Sequence, residues 1–399
     1  MEWESVKLGD VADVKGGKRL PKGVSLISQP NKHPYIRIRD IGASKYLELT
    51  QDYEYVDDVT QQSIKRYIVN TNDILLSIVG TIGLVGVVGE TLNYANQTEN
   101  CVKINNLHGI DRDYLYYYLV SSLGQQEIKL GTVGAVQAKL PLKNVQSISI
   151  PLPSLEDQHR IAAILSSLDD KIENNKRINA NLEAQALAMY NSWFFKYEPW
   201  DGNVPNDWRL GTLSEIGDII GGSTPSKTRQ DYYTDNGIAW LTPKDLSISK
   251  AKFTAKGEVD ITKEGYASCS VRTMPRGSVI FSSRAPIGYL TIAKNEICTN
   301  QGFKSVVPKL AGTAFIYCYL KCATPEIENK ATGSTFKEAS GSLMKSLQLM
   351  IPSKEVLESF ENSIHPLFDE QERLEDENKR LAALRDTLLP KLMKGEIAL

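Results

Sequence analysis

Histidine, cysteine, long apolar runs and net charge are all scarce in this 399-residue chain, and each shortage excludes something. The four histidines (His33, His108, His159, His365) lie far apart, and the five cysteines (Cys101, Cys269, Cys298, Cys318, Cys322) form no CxxC pair and no disulfide-framework spacing. No metal site is expected. No stretch approaches about 18 consecutive apolar residues, which excludes a helical membrane span. The opening MEWESVKLGD has neither the basic nor the apolar region of a signal peptide, so a cytoplasmic location is expected. With Lys+Arg 46 against Asp+Glu 48, the net charge is −2, which argues against wholesale coating of nucleic acid and says nothing about local patches. Hydrophobic residues at 41% nevertheless supply ample core, and the length suits two or three domains.

Enzyme motifs are missing as well. Gly221-Gly222-Ser223-Thr224-Pro225-Ser226-Lys227-Thr228 comes within one residue of the phosphate-cradling GxxxxGK[ST] loop, but Ser226 stands where the second glycine allows close backbone approach. Gly80, Gly83 and Gly86 lie in β-rich sequence with no following helix, which does not suit a dinucleotide or S-adenosylmethionine site. There is no Asn/Asp-Pro-Pro-aromatic tetrapeptide of an amino-methyltransferase. Glu127-Ile128-Lys129 resembles the tail of a nuclease site but lacks a preceding acidic partner in suitable context. The chain reads as non-catalytic, with no cofactor and no metal of its own. The rival readings are a stand-alone DNA-modifying or DNA-cleaving enzyme with a divergent site, and a coiled-coil scaffold without DNA contact.

What the chain does have is a repeat. Trp3 recurs as Trp208, Leu8 as Leu213, Asp13 as Asp218 and Gly16-Gly17 as Gly221-Gly222, all at an offset of 205. Tyr35 and Trp240, Asp40 and Asp245, Ser77 and Ser282, and Ile82-Gly83 and Ile287-Gly288 continue the ladder. Later the register slips: Asn96-Gln97 is matched to Asn300-Gln301, and Ile150-Pro151 to Ile351-Pro352. One unit is therefore written twice. Each copy opens with apolar runs broken by Gly, Pro, Asn and Asp. Residues 74–89 and 279–293 read as strand, turn, strand, and Tyr114 to Ile128 and Ala314 to Ile327 as helices.

Each copy closes differently. Apolar or helix-tolerant residues occupy 161, 165, 168, 172, 175, 179, 182, 186, 189 and 193, then 357, 360, 364, 367, 371, 374, 378, 381, 385, 388 and 392. This alternation of four and three is a coiled-coil seam, with Asn175, Asn179, Gln371, Asn378 and Arg385 as polar residues that fix register. Pro366 should kink the second helix or mark its first turn. The organisation expected is α+β: a domain over 1–150, a long helix over 151–198, a second domain over 199–351 and a second long helix over 352–399. Their net charges are 0, −2, +4 and −4 when the last cut is placed at 350. That partition favours polyanion contact through the globular parts and protein contact through the helices.

The polar residues of the connecting loops suit nucleic acid. Copy one offers Lys18, Arg19, Lys22 and Lys32, then Arg37 and Arg39 in YIRIRDIG, then Gln97, with Thr132, Gln137 and Lys139 in a later loop. Copy two offers Ser223, Thr224, Ser226, Lys227, Thr228 and Arg229, then Lys244 in WLTPKDLS. Ser283 and Arg284 in FSSRAPIG follow, then Asn300, Gln301 and Lys304, and finally Thr335 and Lys337. Arg and Lys can grip guanine or phosphate, and Asn and Gln suit adenine. Scaffold residues match between copies while loop residues differ, as expected if two copies read two sequences. Arg284, for instance, stands where copy one has Val79.

In order, twice over, WESVKLGDVADVKGG and WRLGTLSEIGDIIGG, YIRIRDIG and WLTPKDLS, NDILLSIVGTIG and GSVIFSSRAPIG, and the long closing helices resemble the specificity subunit of type I restriction-modification systems. The resemblance covers essentially the whole chain. It implies two target-recognition domains separated by two antiparallel helices, with a pseudo-two-fold axis, each domain reading one half of a split DNA site. It also implies that the helices set the gap, that two methyltransferase subunits dock on the chain, and that motor-nuclease subunits join for cleavage. S-adenosylmethionine, ATP and Mg²⁺ would then bind those partners. The second helical region, with Pro366, departs from the first more than the domains depart from each other.

Overall fold

A strand buried at every position needs cover on both sheet faces, and Ile74–Ser77 is such a strand. Its alternation sends Ile74 and Leu76 into one core with Tyr114, Leu115 and Leu119 of the helix Arg112–Val120, and Leu75 into another with Ile36, Leu47 and Tyr55. The computed structural model of the chain describes residues 3–42, 44–134, 136–333 and 337–397. It divides into two units, Met1–Glu173 with Lys379–Leu399, and Asn174–Asn378.

In the first unit, Ile74–Ser77 is the middle of five strands ordered Asp13–Gly16, Cys101–Asn105, Ile74–Ser77, Val85–Val88, Tyr46–Leu47. Neighbours are antiparallel except the last pair. A three-stranded sheet orders Glu54–Tyr55, Pro34–Ile36, Asn96–Gln97, and Ser5–Lys7 pairs with Ser149–Pro151 to tie the ends of the domain together. The second unit repeats the plan: Gly217–Gly221, Lys304–Pro308, Val279–Ser283, Ile287–Ala293, Phe253–Thr254. The α+β repeat expected from the sequence is present, strand-turn-strand segments included.

The strand ladders revise the later matches of the repeat. Tyr35 pairs with Asn96 and Trp240 with Cys298, so Asn96 corresponds to Cys298, and Asn300-Gln301 to Thr98-Glu99. Val6 faces Ile150 and Gly211 faces Leu349, so Ile150 corresponds to Leu349 and not to Ile351. The offset falls from 205 to 202 and then 199, because copy two has shorter connections while hydrogen-bond register holds the strands. The expected helix Tyr114 to Ile128 is two helices, Arg112–Val120 and Ser122–Gly131, since Ser121 is extended and its side chain caps the second at Gly124. Its counterpart Thr313–Lys330 is continuous.

The recurring Gly-Gly pair has a packing cause. A Cβ on Gly17 would overlap the carbonyl of Thr98, and one on Gly222 that of Asn300. In each copy the chain crosses so close over the end of a strand that only glycine fits. No helix follows either pair directly: the next element after Gly217–Gly221 is the short turn Gln230–Tyr232. The phosphate-loop geometry is therefore not formed.

The long helices are Leu155–Phe194 and Lys354–Met393, 40 residues each, about 60 Å at helical rise. The first is capped by Ser154, whose Oγ accepts from the Asp157 N–H at 3.1 Å. The second runs through Pro366, so that proline does not mark a first turn. Ile364 and Phe368 beside it are buried in the domain core, which offsets a cost of about 3 kcal/mol for an interior proline. Each unit contains the early part of one long helix and the late part of the other, paired antiparallel. In the first unit Arg385 Nη1 meets Asp169 Oδ1 at 2.7 Å. In the second, Asn175 Nδ2 donates to Asn378 Oδ1 at 3.0 Å and Gln371 Nε2 to the Asn179 carbonyl at 3.0 Å. The polar seam residues thus hold register, and the apolar ones also enter the domain cores: Ile161 and Leu165 with Leu392 in one unit, Ala186 and Phe360 in the other.

A buried lysine anchors each domain to its helices. Lys45 donates to Ser166 Oγ at 2.7 Å and pairs with Asp113 at 3.2 Å, with its ammonium 4.9 Å from the centroid of Tyr117. Tyr117 in turn donates to Asp169. Lys252 pairs with Glu183 at 2.5 Å, donates to Gln371 Oε1 at 2.7 Å, and lies 3.4 Å from the centroid of Phe368. Tyr317 donates to the other oxygen of Glu183. Burial opposes the charge on Glu183, yet Lys252 beside it holds the carboxyl below its usual range. The stability that Glu183 contributes is therefore complete above the ordinary glutamate range and is lost as pH falls through the depressed value. Glu183→Gln should flatten that acid limb. Lys252→Ala should cost about 3–5 kcal/mol at neutral pH by leaving Glu183 uncompensated. Urea unfolding followed by the emission of Trp193, Trp200 and Trp208, all in this unit, measures both.

Candidate nucleic-acid interface

In the first domain the loop leaving Asp13–Gly16 is pinned at its base, where Gly17 N–H donates to the Cys101 carbonyl at 3.0 Å. Beyond it, Lys18, Arg19, Lys22 and Lys32 are exposed. Arg19 Nε meets Glu99 Oε1 at 2.8 Å. Burial works against the Glu99 charge, but hydrogen bonding by Arg19 holds its carboxyl below the usual range. Lys18, Lys22 and Lys32 have no carboxylate within ion-pair distance among the described residues.

Arg37 precedes the tight turn Ile38–Asp40 and Arg39 lies within it; the turn is closed by the Arg37 N–H donating to Asp40 Oδ2 at 2.7 Å. Arg37 Nη1 lies 2.5 Å and Arg39 Nη2 3.0 Å from Glu54 Oε2. Thr132 caps a helix end by donating to the Ile128 carbonyl, and Gln137 and Lys139 are exposed on a hairpin closed by reciprocal backbone bonds between Val133 and Lys139. Gln97 does not join them. It is 1% exposed in the interior strand Asn96–Gln97, and neither side-chain atom has a hydrogen-bond partner.

The second domain places its loop equivalently with other side chains. Ser223 N–H donates to the Thr299 carbonyl at 2.9 Å, and Thr224 bonds Gln301, the counterpart of the Arg19–Glu99 contact. Ser226 and Thr228 share a hydrogen bond at 2.9 Å, Lys227 is exposed, and Arg229 pairs with Asp231 at 2.6 Å over the ring of Tyr232. Lys244 occupies the turn position of Arg39 and pairs with Glu258 at 2.7 Å. Asn300 Oδ1 accepts from the Gly302 N–H at 2.8 Å, which makes it a turn former.

Arg284 and Lys304 converge on Glu338, at 3.6 and 3.2 Å. Glu338 faces Thr332 as Lys139 faces Val133, so Arg284 with Glu338 replaces Val79 with Lys139. The difference between Arg284 and Val79 thus has a partner within the chain, which comparison of the copies at a single position could not reveal. Ser283 is fully buried, its backbone paired to Gly302 and Ala339, and it presents nothing to solvent. Lys337 donates to the Glu328 carbonyl at 3.2 Å, and Thr335 lies outside the described residues. Sequence reasoning passed over the carboxylates Glu54, Glu99, Glu258 and Glu338. Their signal was an acid recurring beside each basic loop, visible only once strand register is known.

Among the described residues no group of three or more His, Cys, Asp or Glu could hold a metal ion, and no helix is long and apolar enough to cross a membrane. A profile of the type I restriction modification DNA specificity domain matches residues 1–184 and again 205–370. The chain is 24% identical over 470 residues to the type I restriction enzyme HindI specificity subunit of Haemophilus influenzae, covering 99% of this chain and all of that one. It is 38% identical over 167 residues to the MjaIX specificity subunit of Methanocaldococcus jannaschii, where the match spans only 41% of this chain and 38% of the relative. Its fold is similar to the crystal structure of a type I restriction-modification S subunit from M. genitalium, with TM-score 0.59, 17% identity, and 98% and 96% of the two chains covered. A twice-matched specificity domain on a twice-written α+β scaffold places this chain in the type I restriction-modification specificity subunit family, as a non-catalytic subunit.

Proposed function

We propose that each α+β domain reads one half of a bipartite double-stranded DNA site, and that the two long helices set the gap between the halves and dock two methyltransferase subunits. Motor-nuclease subunits join for cleavage. S-adenosylmethionine, ATP and Mg²⁺ bind those partners and not this chain. The observation that carries this reading is one scaffold presenting two sets of loop chemistry. Arg19 and Thr224, Arg37 and Thr242, and Lys139 and Glu338 hold equivalent places with different donors and charges. The exposed candidates among Lys18, Lys22, Lys32, Lys139 and Lys227 suit phosphates, and the paired arginines suit base edges. Relatives named as specificity subunits support the same assignment.

Methylome sequencing of cells carrying this chain with its methyltransferase partner tests the reading. A split, asymmetric methylated motif is expected, and purified chain that alone methylates or cuts DNA would overturn it. Exchange of residues 1–150 for the same domain of a relative should change one half of that motif and leave the other intact. The helices are tested by matched insertion of seven residues after Asn175 and seven before Asn378, the pair that face each other. Two turns add about 10 Å of helix while keeping the seam in phase, so the gap should lengthen by about three base pairs. An active complex with the original gap would take the ruler role away from the helices.

A further inference from the structure

Cations on these domains fall into two kinds, and the first domain shows the contrast most sharply. Lys18, Lys22 and Lys32 are exposed and carry no carboxylate partner among the described residues. Arg37 and Arg39 are locked. Glu54 lies on the strand Glu54–Tyr55, directly across from Tyr35, so ladder pairing fixes its place. A single oxygen, Oε2, takes Arg37 Nη1 at 2.5 Å and Arg39 Nη2 at 3.0 Å. Arg39 Nη2 also donates to the Asp52 carbonyl at 3.0 Å. Asp40, which closes the turn, lies 3.5 Å from Arg39 Nε.

Two guanidinium groups against Glu54 and Asp40 leave the turn with no net charge, a poor arrangement for attracting phosphate. It is a good one for orientation. A guanidinium held on one edge keeps its remaining N–H donors in a fixed plane. Arg37, held through Nη1, keeps Nε and Nη2 in the geometry that meets the O6 and N7 acceptors of guanine together, while Arg39, whose Nη2 already serves Glu54 and the Asp52 carbonyl, keeps Nη1. The half-exposed side chains of Arg37 and Arg39 leave those donors reachable, at 36% and 50%. The second domain closes the equivalent turn in the same way, Thr242 N–H donating to Asp245 at 2.7 Å, but there a single exposed lysine, Lys244, pairs with Glu258 at 2.7 Å, and the place of Glu54 is taken by Val259. The two-arginine clamp is thus particular to the first domain, as expected if the two domains read different sequences.

We propose that Glu54 is a positioning residue for sequence choice: by clamping Arg37 and Arg39 it presents them to the major-groove edge of a G·C pair, while the unpaired lysines of the domain grip phosphates. This rests on the assignment of each domain to one half-site. The test uses the complete complex, with the motif and the half read by residues 1–150 established first. Affinity is then measured for the cognate duplex, every single-pair substitution and an unrelated duplex, at two salt concentrations. Glu54→Gln should tighten binding to the unrelated duplex and steepen the salt slope by up to about one. It should also reduce discrimination at least tenfold at one or two G·C pairs of that half, leaving the other half unchanged, which shows the complex to be folded. Glu54→Asp, which keeps the charge on a shorter arm, should restore the salt slope and only part of the discrimination. Wild-type discrimination in Glu54→Gln, loss spread evenly over all positions, or a half-site without a G·C pair would each overturn the proposal. A wild-type complex that recognises no bipartite site would instead overturn the half-site assignment and this inference with it.

Discussion

A lysine ammonium taken out of water must find its counter-charge in one place, and that requirement ties each domain to the long helices. Lys45 and Lys252 leave a short edge segment of their sheet and end among aromatic rings, carboxylates and helix side chains. An apolar contact would tolerate sliding by part of a turn, whereas a buried charge left without its partner would cost several kcal/mol. The polar seam residues Asn175, Gln371 and Arg385 act in the same way between the helices. Position along the helix is thereby specified residue by residue, which is the property a protein needs if its spacing is to carry information.

With the scaffold held in this way, the loops are free to differ. The central strands Ile74–Ser77 and Val279–Ser283 are covered on both faces, and a change at an exposed loop need not be absorbed by that core. The paired exchange of Val79 and Lys139 for Arg284 and Glu338 shows how such differences are balanced: a new charge arrives with its counter-charge. Several loop cations are likewise paired with a nearby acid, while among the described residues Lys18, Lys22 and Lys32 are not.

Much of this was legible in the chain. Two α+β domains, two long helices and their polar seam positions follow from period and repeat alone, because burial imposes period two on strands and the four-three alternation on paired helices. Exposed basic loops were legible too. What could not be read is which residues within a loop segment face inward. Gln97 and Ser283 look like readers by composition, yet ladder pairing turns both into the interior.

The sequence by itself determined the duplicated α+β plan, the helical seams and the family resemblance, since each is a periodic or ordered pattern that survives without knowledge of contacts. Only the tertiary structure decided correspondence and pairing. Three-residue differences in connections shift the offset to 202 and 199, and hydrogen-bond register, not residue identity, shows that Asn96 answers to Cys298. Glu54 with Arg37 and Arg39, Glu338 with Arg284, and Lys252 with Glu183 lie 15 to 69 residues apart. Electrostatic partners at such separations are chosen by where strands and helices bring charges together, and a linear pattern carries no record of that choice.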